Sequence, residues 1–110
     1  MSKQYLGTFE QVVLLALASL DGDADGMSIV DAIQAASRRD VSVPAVYVTL
    51  KRLEGKGLVI SEVRPATGEG PPRRKYFTLQ PSGVAELAKA RELLDKLWTQ
   101  ARLERLGDKA

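Results

Sequence analysis

The chain has 110 residues, of which 45% are hydrophobic and 27% charged, ordinary usage for one globular domain that excludes a disordered or low-complexity polypeptide. It contains no cysteine and no histidine, which excludes disulfides, thiolate metal sites and imidazole general bases. The formal net charge is +2, but residues 1–37, 38–75 and 76–110 carry net charges of −4, +5 and +1. A basic middle segment hints at a surface that faces a polyanion, although a charge cluster by itself is more often a solvated face.

Three amphipathic helices are predicted in the first half of the chain from apolar side chains at spacings of three and four. The first has Thr8 as its N-cap and ends at the glycine- and aspartate-rich turn of residues 21–26, and the second ends near residues 37–40. Ser42 can cap the third, which carries Pro44 in its first turn and ends before Gly57. The apolar stripes are Phe9, Val12, Val13, Ala16, Leu17 and Leu20; then Met27, Ile29, Val30, Ile33 and Ala36; then Val46, Tyr47, Leu50 and Leu53.

The second half of the chain changes from helical to alternating periodicity. Residues 58–64 and 75–79 are predicted as the two strands of a hairpin, joined by a long tip rich in proline and glycine. A final helix of roughly 22 residues follows Pro81 and carries two adjacent apolar stripes, so it should pack on its own domain and on a partner. This order predicts a mainly α (α+β) winged helix-turn-helix with a C-terminal dimerisation helix. Residues 1–80 would form the winged-helix domain and residues 81–110 the dimerisation helix, in one compact unit.

No motif for catalysis or cofactor binding is present, so the chain is not expected to be an enzyme. Residues 21–26 resemble the opening of a calcium-binding loop, but Ala32 stands where the bidentate glutamate should be, which favours a simple turn. We expect no catalytic residue, no metal and no cofactor. No apolar run could span a membrane and residues 1–5 lack the apolar core of a signal peptide, so we expect a soluble, cytoplasmic protein.

Two basic elements of the predicted fold could contact DNA. The third helix carries a small, polar and basic face that fits a major groove, and the hairpin carries a basic run beside Tyr76, with Arg64 on the opposite strand. An ordinary surface helix and a solubilising loop are the alternatives for each element taken alone. The candidate DNA-binding residues are Ser42, Ala45, Tyr47, Thr49, Lys51 and Arg52 on the helix and Arg73, Arg74 and Lys75 on the wing.

The sequence resembles the PadR family of bacterial transcriptional regulators, in its short form with a single C-terminal helix. The resemblance rests on residues 6–17, on residues 41–59 with their Leu-Lys-Arg-Leu-Glu segment, and on residues 73–79 with Gly83. Two positions depart from the family pattern: Asp25 replaces an aromatic residue before the glycine that opens the second helix, and Pro71 and Pro72 replace a pair of glycines in the wing.

The resemblance implies a homodimeric repressor in which the last helix contacts the partner's first helix. It also implies that some members bind flat aromatic effectors at the dimer centre, against a tryptophan placed much like Trp98. The residues assigned in this way to the dimer interface or an effector site are Trp98, Leu94, Phe9 and Val13.

The predicted function is therefore a sequence-specific regulator that binds a pseudo-palindromic operator in double-stranded DNA as a homodimer and is released by a small aromatic effector. The alternative is a winged-helix module that uses the same basic face to bind an acidic protein.

Overall fold

Three helices come first along the chain, with a short strand between the first two, and two further strands, a long helix and a short last helix follow. The computed structural model describes residues 4–65 and 73–107. Its elements are α1 (Thr8–Ser19), β1 (Asp23–Asp25), α2 (Gly26–Ser37), α3 (Val43–Gly55), β2 (Val59–Arg64), β3 (Arg74–Leu79), α4 (Pro81–Gln100) and α5 (Leu103–Gly107). This order confirms the predicted winged helix-turn-helix. The tip of the predicted hairpin, including Pro71 and Pro72, lies outside the described residues.

The core lies between α1, α2, α3 and the inner face of the sheet. Apolar side chains at helical spacing supply most of it, as the periodicity predicts. The fully buried members include Val13, Leu14, Leu17, Ile29, Val30, Val46, Leu50, Leu53 and Val59, and Phe77 closes the core from the sheet. Met27 and Ala36, which we predicted in the stripe of α2, are exposed because they lie at the edge of that stripe.

The sheet contains one more strand than predicted. Residues 23–25 form β1, which pairs antiparallel with β3, so that the strand order is β1-β3-β2. The turn itself consists of Leu20, Asp21 and Gly22, and the last two have positive φ. Glycine adopts this conformation without steric cost and aspartate tolerates it. A three-residue strand is too short to show the alternation by which strands are recognised in a sequence.

The predicted N-cap of α1 is wrong, and the predicted N-cap of α3 is confirmed. The N-cap of α1 is Gly7 rather than Thr8, because the Glu10 carboxylate accepts the Gly7 backbone N–H at 2.9 Å. Ser42 caps α3 as predicted, since its hydroxyl accepts the backbone N–H of Ala45 at 3.2 Å. Both contacts satisfy a backbone donor that the first turn of a helix leaves free.

The two halves of α4 differ in burial. Gly83 and Ala90 are buried and Leu87 packs on the core, whereas beyond Ala90 the side chains are exposed or half-buried. The helix ends at Gln100, and a short helix α5 that the sequence did not predict follows it. No helix within residues 4–65 and 73–107 combines the length and the apolar character needed to cross a membrane.

Candidate nucleic-acid interface

The outer face of α3 is opposite the side chains that anchor the helix in the core. Val46, Thr49, Leu50 and Leu53 form the buried stripe. Pro44, Tyr47, Val48 and Lys51 are exposed on the other side at helical spacings that place them along one face. The exposed face is therefore compact, carries a cation, and begins at the capped N-terminus of the helix, where the helix dipole favours phosphate.

Thr49 does not belong to this outer face, and here the sequence-based assignment is corrected. Its side chain is only 4% exposed because residues 46, 49, 50 and 53 share one face of a helix. Val48, which the assignment omitted, is 57% exposed and takes its place. An exposed valine on a helix in the major groove can contact the methyl group of thymine. The helical spacing from Val46 and Leu50 was the signal that could have identified both residues.

Tyr47 lies at the edge of the outer face and is turned towards the start of α2. A Cβ atom added to Gly26 would overlap the end of the Tyr47 ring, so the ring lies directly over this glycine. Tyr47 therefore links α3 to α2 in addition to presenting part of its surface to solvent. Ser42 is exposed beside it and Ala45 is half-buried, which limits Ala45 to a peripheral contact.

Arg52 occupies the opposite edge of the outer face, near the buried carboxylate of Glu10. The amine of Lys56 donates to Glu10 Oε2 at 2.8 Å. Burial raises the pKa of Glu10, but the hydrogen bonds from Lys56 and Gly7 and the charges of Lys56 and Arg52 outweigh it and lower the pKa below its ordinary value of 4.5. The positive charge of Arg52 is therefore shared with α1, whereas Lys51 lies nearer the middle of the exposed face.

The basic residues of the wing do not all point in the same direction. Side chains along a strand alternate between the two faces of a sheet. Lys75 lies on the face of Phe77, with its amine 5.8 Å from the centre of that ring, whereas Arg74 lies on the opposite, outer face near Asp25. Arg73 precedes the strand and is exposed. The predicted wing residues are thus all at the surface, but Arg74 and Lys75 extend from opposite faces of the sheet and would contact DNA on different sides of the wing.

Arg64 lies at the surface, but carboxylates of the protein itself bind its guanidinium. Its guanidinium donates to both carboxylate oxygens of Asp23, at 2.8 and 3.0 Å, and also to Glu62. It lies 4.5 Å from the centre of the Tyr76 ring. The hydrogen bonds from Arg64 and Thr78 lower the pKa of Asp23, and the same contacts with Asp23 and Glu62 raise the pKa of Arg64. These contacts fix β1 to the wing, so the predicted phosphate contact of Arg64 is replaced by a structural one.

Asp25 occupies a junction between α2, the wing and α3. The Ser28 hydroxyl donates to Asp25 Oδ1 at 2.6 Å, and Arg74 Nη1 lies 3.6 Å from Asp25 Oδ2. Burial raises the pKa of this carboxyl, but the hydrogen bonds from Ser28 and the charge of Arg74 outweigh it and lower the pKa below its ordinary value of 3.8. Asp25 is therefore ionised at neutral pH. It directly precedes Gly26, over which the Tyr47 ring lies.

The residues assigned to a dimer or effector site fall into two groups. Trp98 is 65% exposed and Leu94 is also exposed, and both lie on the half of α4 that leaves the core. Phe9 is half-buried, but Val13 has no exposed surface because it packs among the other core side chains. Val13 is therefore unable to contact a partner, and its assignment is corrected. Leu15, the exposed apolar side chain of α1, is the residue that the periodicity should have indicated instead.

Arg91, an unexpected charge along the apolar seam of α4, makes a local contact. Its Nε lies 3.4 Å from Asp95 Oδ2, one turn further along the helix. Both side chains are exposed, so this pair is expected to add little to stability. Arg91 therefore remains on the surface without entering the core.

Solved structures with the same architecture include several bacterial regulators. A PadR family transcription regulator from Clostridium difficile is 26% identical with a TM-score of 0.67, over 86% of this chain and 97% of that one. A PadR family transcriptional regulator from Eggerthella lenta is 24% identical with a TM-score of 0.69, over 91% and 84%. BpsR of Bordetella bronchiseptica, whose DNA binding is described as regulated by 6-hydroxynicotinic acid, is 20% identical with a TM-score of 0.67, over 97% and 76%. The last two, being below 25% identity, show the fold alone.

The family comparison agrees with the site. A search of curated proteins found no match to the chain. The model of the transcriptional regulator PadR-like family, however, matches residues 14–89, well over half of the sequence. The match spans the last part of α1, all of α2 and α3, the wing and the first half of α4. Members of this family are DNA-binding winged-helix regulators of transcription and not enzymes. The chain belongs to the PadR-like family of transcriptional regulators.

Proposed function

We propose that this protein is a homodimeric repressor that binds a pseudo-palindromic operator through α3 and the wing. The observation that carries the proposal is the outer face of α3, which is exposed and centred on Lys51 and Val48. A helix of this kind fits the major groove, where a lysine contacts phosphate or guanine and a valine contacts thymine. The wing, with Arg73, Arg74 and Lys75, would follow the adjacent phosphates.

The dimer is proposed from the apolar surface that a single chain leaves uncovered. Leu94, Leu97 and Trp98 of α4 and Leu103 and Leu106 of α5 are all about half exposed or more. Soluble proteins rarely leave such a continuous apolar surface without a partner. A second copy that covers this surface would place two α3 helices on the same DNA. Dimers of this kind bind half-sites about 34–36 Å apart. We propose the cytoplasm, where the bacterial chromosome lies, as the site of action.

An effector is proposed for the same surface. Trp98, Arg102, Glu104 and Arg105 line a groove of about 430 Å³ between α4 and α5, so its charged lining consists of two cations and one carboxylate. An indole can stack on an aromatic ring, and an arginine can bind a carboxylate. The resemblance to BpsR, whose DNA binding is described as regulated by 6-hydroxynicotinic acid, favours a small aromatic acid as the ligand class. Such a ligand would release DNA only if it binds the weakly binding form of the dimer better than the other form.

The experiment that tests DNA binding is fluorescence anisotropy on the duplex immediately upstream of the protein's own gene, with a scrambled duplex beside it, at several salt concentrations. We expect tighter binding to the upstream duplex and a steep loss of affinity with salt, because each neutralised phosphate releases a counterion. Lys51→Ala should weaken binding about tenfold. Arg52→Ala should weaken it less, since Arg52 lies at the edge of the face near Glu10.

Lys96→Ala is the matched control, because this exposed lysine lies on the side of α4 away from Leu94 and Trp98. It removes the same charge and should leave the affinity unchanged. If Lys51→Ala and Lys96→Ala behave alike, α3 is not the DNA-binding face. If the wild-type protein binds neither duplex but binds an acidic protein partner, the proposal is wrong and the basic face serves protein binding.

A further inference from the structure

Asp25 and Arg74 form an ion pair that involves one of the proposed phosphate-binding residues of the wing. The pair joins the last residue of β1 to the first residue of β3 on the outer face of the sheet. Arg74 is one of three consecutive cations of the wing. Among these three, and within the described residues, Arg74 alone lies within ion-pair distance of a carboxylate. The inference below rests on the proposed function of the wing.

The two side chains of this pair differ in how freely they can move. The Asp25 side chain is only 13% exposed and is anchored by the Ser28 hydroxyl at 2.6 Å. The Arg74 side chain is 58% exposed and lies 3.6 Å from that carboxylate. Asp25 is therefore fixed to the protein, whereas Arg74 can move. A phosphate that approaches the wing must attract Arg74 away from a charge that cannot follow it.

The charge of Asp25 weakens the attraction between Arg74 and a phosphate. A fixed carboxylate beside the arginine neutralises part of its charge and also repels the phosphate that Arg74 would bind. Because the Asp25 carboxylate is largely buried, solvent and salt screen this pair less than a pair of two exposed side chains, and Arg74 must give up its contact with Asp25 to bind a phosphate. The neighbouring cations Arg73 and Lys75 have no carboxylate within ion-pair distance among the described residues.

We propose that Asp25 restrains Arg74 and so withholds one phosphate contact of the wing from DNA. In consequence Asp25 lowers the affinity for duplex DNA of any sequence, because phosphate contacts supply nearly all of the non-specific binding. Its effect on the selectivity for the operator is smaller. It acts as a positioning residue for Arg74 and does not contact DNA itself.

The test is a double-mutant cycle with Asp25→Asn and Arg74→Ala, measured on the scrambled duplex over a range of sodium chloride concentrations. Asparagine is also a good N-cap, so Asp25→Asn should preserve the start of α2. We expect Asp25→Asn to raise the affinity several-fold at low salt and to steepen the salt dependence by about 0.9, the value for one added phosphate contact. In the Arg74→Ala background the same change should have little effect, because the arginine that it releases is absent.

Arg74→Ala alone provides the second measurement, which does not depend on the folding of the Asp25 variant. If Arg74 is restrained, this change leaves the salt dependence of the wild-type protein nearly unchanged. Glu62→Gln is the matched control: it removes one negative charge from the same outer face, but Glu62 contacts Arg64, which Asp23 still holds. We expect its salt dependence to match that of the wild type.

Three results would overturn the inference. Asp25→Asn could raise affinity equally with and without Arg74, which would mean simple repulsion of DNA by the carboxylate. It could lower affinity, which would mean that Asp25 aims Arg74 at DNA. Arg74→Ala alone could reduce the salt dependence by about 0.9, which would mean that Arg74 already contacts phosphate. Failure of the wild-type protein to bind any duplex would instead contradict the proposed function.

Discussion

Single residues decide how much charge reaches the DNA-binding surface. Of the cations in the basic middle segment, Lys56 is held by Glu10, Arg64 by Asp23 and Glu62, and Arg74 by Asp25. The net charge of this segment therefore overstates what a polyanion would meet. The three carboxylates Glu10, Asp23 and Asp25 all come from the acidic first third of the chain, so the uneven distribution of charge along the sequence becomes local pairing in the fold.

The Glu10 carboxylate provides a pH-dependent part of the stability. Since its pKa is lowered in the folded protein, its contribution is complete above its ordinary value of 4.5 and is lost as the pH falls through the folded pKa. We expect Glu10→Gln to lower the free energy of unfolding at pH 7 by about 1 kcal/mol, because Lys56 loses a charged partner. Urea denaturation should show this difference shrinking as the pH is lowered below 4.5.

Glu92→Gln is the control for this prediction, because Glu92 is exposed on α4. It should leave the free energy of unfolding nearly unchanged at neutral pH. A deficit for Glu10→Gln that is the same at every pH would contradict the assignment of the effect to the ionised carboxylate.

At the scale of elements, the start of α4 is fixed tightly to the turn before β2. The Ser82 hydroxyl donates to the Gly57 carbonyl at 2.7 Å, and the Gln80 N–H donates to the Leu58 carbonyl at 3.0 Å. A Cβ atom on Gly83 would lie 2.7 Å from the Leu58 carbonyl oxygen and from Leu79 Cδ1. This close approach sets the direction in which α4 leaves the domain.

Gly83→Ala should therefore be strongly destabilising, by about 1–3 kcal/mol, since the backbone oxygen of Leu58 has to move. Gly55→Ala is the matched control: Gly55 ends α3, and an added Cβ atom there would meet no atom within 4 Å. It should be neutral or stabilising by up to about 1 kcal/mol. Thermal or urea unfolding of the two variants compares them directly, and equal stabilities would mean that α4 is not held at Gly83.

At the scale of the whole molecule, the second half of α4 and the short α5 carry an apolar surface that a single chain leaves open. We expect Trp98→Glu to convert the proposed dimer to monomers, because it places a charge in the middle of this surface. Sedimentation equilibrium would show the change, and the loss of the second α3 helix should weaken operator binding by more than tenfold.

Val84→Glu is the control for the dimer prediction. Val84 is 54% exposed on the same helix, but it lies in the half that packs on its own domain. This variant should remain a dimer. A wild-type protein that sediments as a monomer at all concentrations would contradict the dimer outright.

The sequence alone determined the order of the four longer helices and the two hairpin strands, the apolar stripes and the family, because helical spacing, the hairpin pattern and the segment from Val41 to Val59 are local signals. Helical spacing also predicts that Thr49 is buried, but we assigned this residue to the exposed face because its side chain is polar. Only the tertiary structure decided the pairing of β1 with β3, the position of Tyr47 over Gly26 and the carboxylate partners of Arg64 and Arg74. Each of these joins residues that are distant along the chain, and which charges meet depends on how the strands align.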